Sequence, residues 1–166
     1  MQPLDDKIIR ASFVNASRKE VSDLTLPGDF GNFTDLDWSR LDYLGWRDRK
    51  IARRAYAVIP LENELVGVML RQADGGMRTR PQCSWCQDVT LPNDVVFYSA
   101  RRAGPAGRNG DTVGTLVCSE FECSANVRKA PIVAYLGFDV DAAKAHRMAE
   151  LKERAAGFAF TVLHGT

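Results

Sequence analysis

Four cysteines carry the chemistry of this chain: Cys83-Ser-Trp-Cys86 and, after 31 intervening residues, Cys118-Ser-Glu-Phe-Glu-Cys123. Two short-spaced pairs on separate segments suit one tetrahedral zinc ion, which takes four thiolates at about 2.3 Å. Cys-x-x-Cys leaves both sulfurs on one side of a tight knuckle, and the second pair sits where a helix is expected to begin, whose N–H groups favour thiolate charge. The competing readings are two disulfides, four unrelated buried thiols or a redox Cys-x-x-Cys. No strand-helix context suits the redox motif, and nothing marks the chain for export, so the metal reading leads, with Cys83, Cys86, Cys118 and Cys123 as ligands.

Other chemistry is harder to place. A zinc hydrolase or deaminase needs an open coordination position with a nearby acid or base, such as His-x-Glu before a Cys-x-x-Cys or a His-Glu-x-x-His helix. The two histidines, His146 and His164, both follow the cysteines and neighbour no obvious partner. The run Ala103-Gly-Pro-Ala-Gly-Arg-Asn-Gly110 lacks the Gly-Lys-Ser/Thr ending of a phosphate loop. Four thiolates also fill a zinc ion's coordination shell, so the expected site is structural and the protein is expected not to be an enzyme.

Composition sets the frame. The 166 residues are 45% hydrophobic, enough for a real core, and 22 Lys and Arg against 21 Asp and Glu give a net charge of +1. A dedicated nucleic-acid binder is far more basic, so any basic surface is local. The polar N-terminus does not resemble a signal peptide, and no apolar run approaches the ~20 residues of a membrane span. A cytoplasmic protein without membrane contact or small-molecule substrate is expected.

The elements that must position the cysteines follow from periodicity. Residues 5–24 carry Ile8, Ile9, Phe13, Val14, Val21 and Leu24 at roughly helical spacing, with a break at 15–17 and Ser17…Glu20 as a capping box. Residues 27–40 are expected to be loop, followed by Tyr43-Leu-Gly-Trp46 and a basic run of Arg47, Arg49, Lys50, Arg53 and Arg54. Residues 55–60 and 65–71 form one predicted hairpin, apolar on both faces and therefore covered on both. Residues 95–98 and 112–117 form a second, joined by a turn-rich loop at 104–111. A helix is expected at about 119–129, and another at about 140–156, capped by Asp139 or Asp141. The expected class is α+β: an antiparallel sheet of two hairpins, flanking helices, and a four-cysteine treble-clef zinc finger at about 80–130.

The order of these features resembles the C-terminal domain of elongation factor G-binding proteins, the family that includes the fusidic-acid resistance proteins. The resemblance rests on Tyr43-Leu-Gly-Trp46, the strand pair from Tyr56 to Leu70, the Cys83-x-x-Cys86 knuckle, and the hairpin that ends in Val117-Cys118. It divides the chain into a helical segment at 1–26, matching the linker of the family's N-terminal bundle, and a domain at 27–166. It implies binding to domain IV of elongation factor G and release of that factor from stalled ribosomes. The aromatic and lysine residues that resistance proteins present beside the zinc are replaced by Gln82, Val113 and Leu116.

A closed zinc module with local basic loops and scattered aromatics is also expected, on its own chemistry, to be a docking domain whose anchors are aromatic and Arg side chains. Candidate partner-binding residues are Trp85, Tyr98, Arg101, Arg102, Arg108, Phe121, Arg128 and Lys129. For Trp85 and Phe121, packing against the metal site is the competing role. The alternative function is binding to ribosomal RNA or the ribosome through the basic run and the hairpin loop.

Overall fold

The structure is a computed structural model and describes residues 1–26, 36–75, 79–89, 92–130 and 137–164. Its centre is a five-stranded antiparallel sheet in the order β1-β2-β3-β4-β5: Leu44–Arg47, Arg54–Leu61, Glu64–Gln72, Val95–Arg101 and Thr112–Cys118. Both expected hairpins are present, β2 with β3 and β4 with β5. The first strand was not anticipated. Tyr43-Leu-Gly-Trp46 is too short to show a period of two, and it becomes strand only because Leu44 and Trp46 pair with Val58 and Tyr56.

The double-sided apolar pattern of β2 and β3 has the expected cause. Ala55, Ala57, Ile59, Val66, Val68 and Leu70 face one cluster, which the C-terminal helix α5 (Val140–His164) closes with Leu151, Ala155, Phe158, Ala159 and Val162. Tyr56, Val58 and Met69 face a second cluster with Leu44, Trp46 and Trp38, and the N-terminal segment covers it through Leu4, Ile9 and Leu24.

That segment consists of α1 (Asp6–Ala11) and α2 (Arg18–Ser22), the latter opened by the expected Ser17/Glu20 capping box. Between them the chain lies against β3. Phe13 bridges Gly67, and the buried Asn15 side chain donates to the Met69 and Arg101 carbonyls while accepting from the Met69 N–H. Asn15 thus satisfies backbone groups where β3 and β4 part, their ladder being confined to Arg71↔Ser99 and Gln72↔Tyr98.

Three helix boundaries differ from expectation. The loop at 104–111 holds a short helix α3 (Gly104–Arg108), with Pro105 in its first turn, where the missing N–H costs no intrahelical hydrogen bond. The helix after the second cysteine pair shrinks to α4 (Cys123–Val127). Helix α5 runs to His164 because Ala159 and Val162 keep burying the same stripe. Asp139 caps it by accepting from the Ala142 N–H. Of the expected loop at 27–40, residues 27–35 lie outside the described residues, while Trp38–Arg40 form a 3₁₀ turn.

Candidate metal centre

The knuckle between β3 and β4 and the segment from the end of β5 into α4 bring all four sulfurs together. The Sγ atoms of Cys83, Cys86, Cys118 and Cys123 lie within 4.8 Å of one another, and all four residues are buried. Cys83 Sγ is 3.7 Å from Cys123 Sγ, and Cys86 Sγ is 3.7 Å from Cys118 Sγ. A tetrahedron with metal–sulfur distances of about 2.3 Å has edges of about 3.8 Å, so the sulfurs fit one ion and are far too distant to be disulfides.

Local backbone geometry produces the convergence. In the knuckle the Cys86 N–H points at Cys83 Sγ at 3.5 Å, the Gln87 N–H donates to the Cys83 carbonyl, and Gln87 takes a left-handed φ of 55°. The Ser84 N–H donates to the Leu116 carbonyl, which pins the knuckle to β5. Between the second pair of cysteines, Phe121 is left-handed at φ 60° and donates its N–H to the Cys118 carbonyl. Gly45 makes this turn possible: a Cβ there would sit 2.6 Å from the Phe121 ring.

Electrostatics also calls for a cation. Two thiolates 3.7 Å apart repel by about 4 kcal/mol at an effective dielectric of about 20. Hydrogen bonds from Cys118 and then Cys123 hold the Cys83 and Cys86 thiols below their usual range, while contacts with Cys118 and Cys83 push Cys123 up. Burial, reinforced by Cys123, raises the Tyr43 phenol well above its normal value, so it stays a neutral donor to the Phe121 carbonyl.

Sequence reasoning missed Asn126. It is fully buried, and its Nδ2 lies 3.5 Å from Cys118 Sγ and 3.8 Å from Cys86 Sγ. Its position three residues after Cys123, on the same side of a helix, was the only available signal. The clamp from α5 was also missed: Arg147 donates to the Asn126 carbonyl and pairs with Asp88, and Arg154 donates to the Trp85 carbonyl.

The candidate partner-binding residues fall into separate groups. Trp85 is 1% exposed, wedged between Tyr43 and Phe158. Tyr98 is fully buried and stacks on the buried Phe121 at 5.5 Å. These three aromatics are core residues of the metal centre and do not form an exposed docking surface, because the knuckle is too small to bury its sulfurs without them. Arg128 is held in a bidentate pair with the buried Asp42. Arg101 is exposed and paired with Glu20, Arg102 donates to the Thr161 carbonyl, and Arg108 and Lys129 are exposed.

Arg101, Arg102 and Arg108 do not lie beside the metal site. β5 runs from Thr112, opposite Arg101, to Cys118, opposite Val95, which places these arginines about 20 Å along the sheet from the metal. Val89, 64% exposed, Gln87, Lys129, Ser84 and Glu120 are among the accessible side chains on the segments beside it.

A knuckle, a β-hairpin and a short helix that supplies the fourth ligand define a treble-clef metal-binding domain, with four buried cysteines placed to hold one ion. The chain belongs to the FBP C-terminal treble-clef zinc-finger family, whose model matches residues 8–162. Among solved structures, that of the fusidic acid resistance protein FusC is similar at 18% identity and a TM-score of 0.44, covering 67% of this chain. The chain spans 50% of the length of FusC. No curated protein sequence matches it. Among the described residues, no helix is long and apolar enough to cross a membrane.

Proposed function

We propose that the ion is zinc, and that the protein is a zinc-dependent, non-enzymatic binding domain that docks on translation elongation factor G, at its domain IV, and promotes the factor's release from the ribosome. The observation that carries this reading is membership of the FBP zinc-finger family over nearly the whole chain, with all four ligands in place. Four thiolates complete a tetrahedral shell and leave no position for an activated water, which supports binding over catalysis. A cytoplasmic location follows from such a partner.

The docking surface consistent with this role is the metal end. Trp85, Phe121 and Tyr98 stiffen it from beneath, and Val89, Gln87 and Lys129 are available above. A rigid knuckle presents side chains at small entropic cost. Calorimetry with purified elongation factor G tests the proposal. Complex formation is expected, with Val89→Asp weakening it and Lys129→Glu slowing association. Neither heat nor complex at tens of micromolar protein would overturn it.

A further inference from the structure

The N-terminal helices cover the sheet face over β1–β3 but leave it open over β4 and β5. Phe97 and Arg101 on β4, and Thr112 and Gly114 on β5, are exposed there. Phe97 is 41% exposed, and its ring tip lies over Gly114, where a Cβ would come within 2.2 Å of it. The missing side chain lets the aromatic ring settle onto the sheet.

Beside this platform, the strand ends form a trough of about 640 Å³ lined by Arg53, Arg54, Arg71, Arg101, Ser99 and Thr112 among others. Arg54 and Arg71 stand directly opposite each other on β2 and β3, and like charges so placed are destabilising. Arg71 has no acidic partner among the described residues; Arg54 bonds the Tyr56 hydroxyl, itself held by Asp48, Arg53 pairs with Asp74, and the one acid lining the trough, Glu20, is engaged by Arg101. Four guanidinium groups converge on a trough lined by one carboxylate, Glu20, with two of them facing each other across a ladder, and next to an open aromatic ring they fit a ligand that supplies both negative charge and flat apolar faces.

We propose that this face binds single-stranded nucleic acid, with phosphates in the arginine trough and a base stacked on Phe97. Single strands are held by basic grooves that track the backbone and by aromatic side chains on which bases stack, without a need for sequence readout. An acidic protein segment would satisfy the arginines but would leave Phe97 without a role. The trough stands at the opposite end of β5 from the metal and is independent of factor docking.

Fluorescence anisotropy with a fluorescein-labelled 12-nucleotide oligouridine tests the proposal. Binding is expected with a log–log salt slope of about −2, as for three neutralised phosphates on a single strand. Phe97→Ala is expected to weaken it about five- to a hundredfold, and Arg71→Gln to lessen the slope by about 0.7. Both side chains are exposed, so the variants should keep their metal content, and oligothymidine should bind comparably. As a check on the unmodified protein, 4-thiouridine in the oligomer should photo-crosslink within residues 95–101 or 112–116. Absent binding at 100 µM, variants that bind like the parent, crosslinks confined to other segments, or equal competition by a 12-residue oligoglutamate would each overturn the assignment, the last by giving the trough to an acidic protein.

Discussion

Replacing Asn126 by Asp removes its two N–H···S contacts with little change in volume, because the side chains are nearly isosteric and the packing around a fully buried residue is preserved. The native Nδ2 reaches Cys118 Sγ at 3.5 Å and Cys86 Sγ at 3.8 Å, spreading thiolate charge onto an amide dipole, while Oδ1 has no partner among the described residues. Loss of a hydrogen-bond partner to a metal ligand costs about 10–100-fold in affinity, or about 1.4–2.7 kcal/mol. A carboxylate adds repulsion. At 3.5 Å and an effective dielectric of about 20, each oxygen–thiolate contact opposes binding by about 5 kcal/mol before the ion's own charge offsets it. Asn126→Asp should therefore lower zinc affinity by at least about 100-fold, measured by competition with a chromogenic chelator at pH 7. A metal that binds only the folded state stabilises it by mass action, so the thermal midpoint at limiting zinc should fall in parallel. Zinc affinity within threefold of the parent would show that the amide does not tune the sulfurs and would refute the reasoning.

Two further outcomes follow from the same geometry. Gly45→Ala places a Cβ 2.6 Å from the Phe121 ring, so the turn between Cys118 and Cys123 must shift, at a cost of about 1–3 kcal/mol in urea unfolding of the zinc-loaded protein; an unchanged midpoint would mean that Phe121 repacks freely. Burial pushes the Tyr98 phenol up to about 12 from an ordinary value near 10, so the folded state resists its ionisation. A raised pKa contributes stability that is intact below the unfolded value and is lost as pH climbs from about 10 toward 12, so phenolate absorbance at 295 nm should rise together with unfolding across that window; early ionisation of all four tyrosines without unfolding would contradict the burial.

Much of this molecule is local and therefore legible in its sequence. The Cys-x-x-Cys spacing fixes a knuckle by backbone geometry alone, and the alternating apolar runs of residues 55–71 fix strands buried on both faces. The Ser17/Glu20 capping box and the Asp139 cap are likewise short-range hydrogen-bonding patterns. Everything that depends on which distant segments meet was decided by the tertiary structure. Leu44–Arg47 is a strand only because β2 offers an edge, and Trp85 and Tyr98 look like exposed anchors until Tyr43, Phe121 and Phe158 close over them. Asn126 gains its role because α4 brings it against sulfurs 8 and 40 residues away in the chain. The sequence determined which residues can hold a metal, since ligand chemistry belongs to residue type and short spacing. The tertiary structure decided which surface remains to meet a partner: burial and cross-strand pairing arise from contacts between segments that no local pattern encodes, and they set the arginines at one end of the sheet and the metal at the other.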